Sequence, residues 1–176
     1  MPEKYFLFLG DVMKRKNVDL IIEAGNKLKQ NGQLADHQFI IAGRIKDEGL
    51  LKKVKALGLS QEIKFLGYVA DEDRPALYRL AQAFVLPSFY EGFGFPVLEA
   101  AASKCLVICS QTTSLPELMD DSAIYIDPQN VDSLAGALKQ AITNRQQFET
   151  RINFAFEKAK TFSWSKTAEQ LTRKKF

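Results

Sequence analysis

The 176-residue sequence is poor in the side chains that build disulfide, metal and redox chemistry. It has two cysteines, Cys105 and Cys109, set four apart around an apolar stretch. That spacing supplies neither a disulfide framework nor a metal quartet, so both read as buried core thiols in a reducing, cytoplasmic setting. One histidine, His37, precedes a strand-like run, and no His-based metal site or catalytic triad is expected. No apolar run approaches the roughly 18 residues of a membrane span. Met1-Pro-Glu-Lys4 passes directly into an apolar run, which leaves no room for a signal peptide. Charge of one sign is also lacking: 24 Lys and Arg against 21 Asp and Glu give a net +3, too mild to argue for nucleic acid. Repeats, low-complexity tracts and long linkers are absent. Gly10-Asp-Val-Met-Lys14 follows the first apolar run without a Gly-x-Gly-x-x-Gly, which argues against a dehydrogenase-type nucleotide domain.

What is present fits one globular domain. The composition is 46% hydrophobic and 26% charged, and a chain of this length buries roughly 70% of its unfolded surface. Apolar runs at Tyr5–Leu9, Phe39–Ala42, Ile63–Leu66, Ala83–Leu86, Leu106–Cys109 and Ala123–Ile126 read as six strands, most of them ended by Gly or Pro. Between them lie segments of helical period: Val18–Leu28, Leu50–Leu57, Asp71–Ala81, Phe95–Ser103 and a short Leu115–Met119. Val131–Thr143, Gln146–Lys160 and a segment after Trp164 follow as further helices. Near-continuous apolar strands alternating with helices predict an α/β fold: a single Rossmann-like, doubly wound domain, its six-stranded parallel sheet covered by helices on both faces. Ligands of such sheets sit beyond the carboxyl ends of the strands, so the strand-ending loops form the candidate functional edge.

One of those loops stands out. Pro87-Ser-Phe-Tyr-Glu-Gly-Phe-Gly-Phe-Pro96 joins a strand to a helix and carries three phenylalanines and a tyrosine near solvent. Gly92 and Gly94 permit positive φ and let another group approach the main chain. Pro96 suits a first helical turn, whose free N–H groups and positive dipole end favour phosphate. Glu91 and Glu99 bracket this element. A diphosphate at the helix start would repel both carboxylates, which are better placed for sugar hydroxyls on either side of it. The alternative is that Glu91 caps a turn and Glu99 is a solvated helix residue.

The stretch Glu91-Gly-Phe-Gly-Phe-Pro-Val-Leu-Glu99 resembles the Glu-x7-Glu signature of family 4 glycosyltransferases, sugar-nucleotide-dependent enzymes of GT-B fold. Phe8-Leu-Gly10 with Arg15–Leu20, Phe65–Val69, Ala83–Ser88, Thr113–Glu117 and Tyr125–Pro128 also resemble family segments in the family's order, covering nearly the whole chain. The resemblance implies that residues 1–176 are the C-terminal, nucleotide-sugar-binding domain of a retaining enzyme, without the N-terminal acceptor domain. That partner would act in cis or in trans, and any membrane contact would come through it. The donor would be a nucleoside diphosphate-sugar of mannose or glucose type, with no further cofactor and no metal. Glu91 and Lys16 would be the catalytic pair, Glu91 on hydroxyls of the transferred sugar and Lys16 on the leaving diphosphate.

Glu99 would hold the ribose hydroxyls, Tyr68 and Val69 the base, and the Gly92, Phe93, Gly94 and Phe95 loop, through N–H groups from Phe93 to Val97, the distal phosphate. Arg44 lies on the same edge and reads as a solvated arginine. The segment Phe162–Leu171, with Trp164, would cross to the missing domain and expose an apolar face. Asp11 departs from the family's pattern: a basic residue often follows that first glycine, and Lys14 or Arg15 would have to compensate. It leaves open a non-catalytic nucleotide-binding or regulatory module on the same fold.

Overall fold

A computed structural model describes residues 2–45 and 47–173; the side chains of Trp164, Thr167, Gln170, Leu171 and Arg173 also lie outside the described set. Among the described residues, six strands and eight α-helices follow in order: β1 (Tyr5–Leu9), α1 (Val18–Gln30), β2 (Gln38–Ala42), α2 (Glu48–Ala56), β3 (Ile63–Gly67), α3 (Arg74–Leu80), β4 (Ala83–Leu86), α4 (Phe95–Ala102), β5 (Val107–Ser110), α5 (Leu115–Met119), β6 (Ile124–Ile126), α6 (Val131–Thr143), α7 (Glu149–Ala159) and α8 (Trp164–Arg173). The strands form one sheet in the order β3-β2-β1-β4-β5-β6, and every pairing is parallel. The order reverses beside β1, so the switch point lies between β1 and β4, where loops from the two halves part and leave a crevice.

The four inner strands β2, β1, β4 and β5 are buried on both faces almost throughout, which is why they read as unbroken apolar runs. The edge strand β3 is half open, and its Leu66 is exposed. Helix α1 packs against α6, while α4 packs against α3, α5 and α7. Lys53 of α2 bonds to Asp19 and Glu23 of α1, which places α2 in the first group. The sheet is thus covered on both faces.

Several boundaries shift from the sequence reading, most of them by one or two residues. Helix α3 begins at Arg74 rather than Asp71. Pro75 has no N–H to return to the carbonyl of residue 71, so the helix starts just ahead of the proline. β5 runs one residue later, from Val107 to Ser110. The segment from Gln146 opens as a 3-10 turn, Arg145–Phe148, before α7.

Glycine is required where the first two strand ends meet. Gly43 has φ +128°, and a Cβ there would stand 2.1 Å from the Gly10 carbonyl oxygen. The two loops therefore touch backbone to backbone, and both glycines line a cleft of about 200 Å³ above the switch point.

Candidate functional site

The loop after β1 turns through a 3-10 turn, Lys14–Lys16, and Asn17 closes it in the left-handed region at φ 54°. The Asn17 Nδ2 donates to the Pro128 carbonyl at 2.8 Å, tying this turn to the loop after β6. The result directs Lys16 inward, and its side chain is 8% exposed. Lys16 is therefore not a solvated loop lysine.

Lys16 Nζ lies 2.7 Å from Glu91 Oε1, and the Glu91 side chain is 6% exposed. Ser88 Oγ donates to the same oxygen at 2.6 Å, and Arg15 Nη1 stands 3.4 Å from Oε2. Arg15 also donates to the Tyr90 carbonyl at 3.1 Å, while the Phe89 N–H donates to the Arg15 carbonyl at 2.9 Å. Two loops that are about seventy residues apart in sequence are stitched together around one carboxylate. Two of the three N–H donors of the Lys16 ammonium have no partner among the described residues. A buried ion pair with a cation half-satisfied is an arrangement open to an incoming anion.

The loop after β5 holds the Glu91 loop from the other side. Thr112 Oγ1 donates to the Ser88 carbonyl at 3.3 Å, the Glu91 N–H donates to Thr113 Oγ1 at 3.2 Å, and Ser114 Oγ donates to the Phe93 carbonyl at 2.6 Å. Thr113 adopts φ 52°, a conformation that β-branched residues rarely take. Strain of about 1–3 kcal/mol is the usual cost of such a residue and is tolerated where surrounding contacts fix it.

The two glycines of the loop behave differently. Gly94, at φ +110°, is the residue before α4, and a Cβ there would lie 2.8 Å from Leu115 Cδ2. Gly92 is not among the glycines of positive φ and would meet nothing within 4 Å, so the expected conformational need holds for Gly94 only. The donor set for an anion is also narrower than expected. Pro96 has no N–H, and the Val97 N–H is spent on the Gly94 carbonyl at 3.1 Å. The N–H groups of Gly92, Phe93 and Gly94 have no hydrogen-bond partner among the described residues.

Beyond α4's first turn, Glu99 lines the cleft with Leu9, Asp11, Arg44, Tyr68, Val69 and Arg74. Tyr78 Oη donates to Glu99 Oε2 at 3.0 Å. Arg74 is paired with Asp71 at 2.7 Å, yet its Nε is buried with no hydrogen-bond partner. Asp11 faces Arg44 across 3.5 Å, so the acid that departs from the family's pattern has a cation beside it. Arg44 is exposed, as expected, but on the cleft wall. The structure therefore gathers the candidates into two adjoining groups along one edge: Lys16, Glu91 and the Gly92–Phe95 loop, and then Glu99 with Tyr68 and Val69.

Tyr68 is 70% exposed, and Phe89, Tyr90, Phe93 and Phe95 are exposed too, an aromatic rim beside the site. Phe93 packs on Phe95 with ring centroids 4.8 Å apart and meets Phe162 edge-on at 6.2 Å. The expected apolar face on Phe162–Leu171 falls on Trp164 and Leu171, whose side chains lie outside the described residues; Phe162 itself is exposed. Cys105 and Cys109 are free and buried, with burial pushing the Cys105 thiol up to about 12.

Ser88, Asn17, Arg74, Tyr78 and the Thr112–Ser114 hydroxyls were not singled out from the sequence. Ser88 and Thr113 offered two signals, a hydroxyl in a strand-end loop and a place at one end of a family-like segment.

The model of the family described as group 1 glycosyl transferases matches residues 1–160. O-antigen chain mannosyltransferase B of Escherichia coli is 36% identical over 168 residues, covering 94% of this chain and 44% of that protein. Mannosylfructose-phosphate synthase of Agrobacterium fabrum is 31% identical over 178 residues, covering 96% and 39%. The chain thus spans less than half the length of these curated relatives. Among solved structures, the C-terminal domain of the group 1 glycosyl transferase LpcC from Francisella tularensis superposes with a TM-score of 0.78 at 30% identity, covering 92% of this chain and 87% of that one. HepE of Anabaena, in complex with UDP and glucose, shares the fold with a TM-score of 0.86 at 20% identity, covering 96% of this chain and 47% of that one.

Proposed function

Because the chain belongs to the group 1 glycosyl transferases, we propose that it is the C-terminal, donor-binding half of a retaining GT-B hexosyltransferase. An N-terminal acceptor domain, in cis or in trans, would complete the cleft and make any membrane contact. The two buried, unpaired thiols support a cytoplasmic setting. The mannosyltransferases among the relatives support a mannose-type donor, and the UDP and glucose held by HepE support a nucleoside diphosphate-sugar.

The observation that carries the reading is the buried contact of Lys16 with Glu91, in which the ammonium keeps two donors unused. In the proposed reaction those donors meet the diphosphate and stabilise the charge that grows on it as the sugar leaves. Glu91, held by Ser88 and Arg15, binds hydroxyls of the sugar and fixes its reacting carbon. The bond from that carbon to the diphosphate oxygen breaks, the acceptor oxygen bonds to the carbon on the same face, and its proton passes to the departing diphosphate. No protein nucleophile, metal or resident cofactor is called on. Gly92, Phe93 and Gly94 offer N–H groups to the distal phosphate, Glu99 takes the ribose, and Tyr68 with Val69 borders the base.

Asp11 on the cleft wall favours a second reading, a nucleotide-binding module that does not catalyse transfer. Arg44 beside it offsets the charge, which favours the first. Calorimetry against uridine, guanosine and adenosine diphosphates, with and without a hexose, tests the donor site. Glu99→Ala should weaken a diphosphate without sugar, and Glu91→Ala should matter mainly when the sugar is present. Equal effects on both ligands would reject that division, and no binding by the folded chain would reject the donor site.

A further inference from the structure

Two tyrosines are buried in the same part of the core, and they satisfy their hydroxyls in different ways. Tyr5 Oη donates to the Leu77 carbonyl at 2.7 Å, a backbone acceptor within α3. Tyr78, one residue further on, is 1% exposed, and its ring lies edge-on to Phe84 of β4 at 5.2 Å and 76°. Its hydroxyl crosses to α4 and donates to Glu99 Oε2 at 3.0 Å. Burial, followed by the neighbouring Glu99 charge, pushes the Tyr78 phenol far above its ordinary range, so it stays protonated and donates. A buried tyrosine needs a partner. Here the partner is a half-buried carboxylate that lines the cleft, and its other oxygen, Oε1, has no hydrogen-bond partner among the described residues.

A glutamate side chain on a helix turns about several bonds, and fixing it costs rotamer entropy. A rigid donor seated in the core removes that freedom before any ligand arrives. We propose that Tyr78 is a positioning residue for the ribose of the donor: it holds Glu99 Oε2 and so presents Oε1 to a ribose hydroxyl. The role rests on the donor-site reading above. Tyr5 supports it from below, because its bond to Leu77 fixes the turn of α3 that carries Tyr78.

The experiment is calorimetry of uridine and guanosine diphosphates and their 2′-deoxy and 3′-deoxy forms, on the unaltered chain and on Tyr78→Phe, with the melting temperature recorded beside each titration. The unaltered chain should prefer the ribonucleotide over one of its deoxy forms by about tenfold, the size of a hydrogen bond to a charged group. Tyr78→Phe should weaken the ribonucleotide by about tenfold and that deoxy form by less than about threefold, so the preference collapses. Equal weakening of both forms, no weakening of either, or an unaltered chain blind to both hydroxyls overturns the role of Tyr78 and leaves the donor site standing. No diphosphate binding by the unaltered chain removes the donor-site reading and this role with it. Should Tyr78→Phe fail to fold, the unaltered chain still decides. Its buried, hydrogen-bonded Tyr78 hydroxyl proton, followed by NMR, should shift with the ribonucleotide and not with that deoxy form, and the same shift with both overturns the proposal.

Discussion

Lys16 and Glu91 share a hydrogen bond of 2.7 Å with both side chains out of water, so removing either alone leaves a buried charge without its partner. Breaking such a pair costs about 3–5 kcal/mol, whereas replacing both ends by neutral groups costs far less. Lys16→Met should lower stability by about 3 kcal/mol, with Arg15 at 3.4 Å supplying some compensation. Adding Glu91→Gln should restore most of it. Urea unfolding of the two single variants and the double variant measures the coupling, and additive losses would contradict it.

His37 sets a pH dependence of another kind. It is buried and stacked on Phe6 at 5.6 Å, and burial lowers its affinity for a proton despite Asp36 at 3.6 Å. The unfolded chain takes up a proton near pH 6.5, before the folded chain does. Stability should therefore be level above about pH 6.5 and fall as the pH drops below it. His37→Gln should flatten that fall in urea titrations at pH 7.5, 6.5 and 5.5. Of the candidate site residues, Glu91, Glu99 and Lys16 could be picked out in the sequence because they stand in ordered, family-like segments. The roles of Ser88, Thr113 and Tyr78 could not, although Ser88 and Thr113 stand in family-like segments. Their contacts cross between loops or helices, and a serine in a loop or a tyrosine at helical spacing looks the same whether it holds a carboxylate or nothing.

Elements were legible where burial on two faces forces unbroken apolar runs, as in β1, β2, β4 and β5. They were less legible where one local interaction sets an end: Pro75 delays α3 and a 3-10 turn opens α7. The Gly92-Phe-Gly94 pair shows the limit. Both glycines looked equally necessary, but only tertiary structure says which one meets a neighbour. At Gly94 a methyl group would need φ +110° and would press to 2.8 Å on Leu115 Cδ2 and 3.1 Å on Leu118 Cδ1. Gly94→Ala should destabilise by about 1–3 kcal/mol through strain and overpacking between α4 and α5. Gly92→Ala, in open space, should stay within about 0.5 kcal/mol. The comparison tests the element and not the ligand, since both are read from urea midpoints without nucleotide. A large loss at Gly92 would mean that the loop packs differently.

At the scale of the whole molecule, the proposed function makes this sheet one half of a cleft. The cleft walls come from the loops after β1, β2 and β3 and from helices α3 and α4, and the aromatic rim of Phe89, Tyr90, Phe93 and Phe95 is exposed beside them. Relatives more than twice as long as this chain supply further sequence that it does not contain. In the proposed function donor binding draws on Lys16, Glu91 and Glu99, whereas transfer needs an acceptor held in line with the reacting carbon. Positioning of that kind contributes about 7–11 kcal/mol of a barrier, so its absence is felt in turnover before binding. The isolated chain should therefore be stabilised by its sugar nucleotide and yet transfer no sugar. At a hundredfold excess over the dissociation constant, the ligand adds about 2.7 kcal/mol. For a domain of this size that is a rise of about 5–10 °C in melting temperature. Scanning fluorimetry reads the first half of the prediction, and nucleoside diphosphate release in the presence of simple glycoside acceptors reads the second. Steady acceptor-dependent release by this chain alone would place the acceptor contacts on the aromatic rim itself, and the half-cleft account would have to be abandoned.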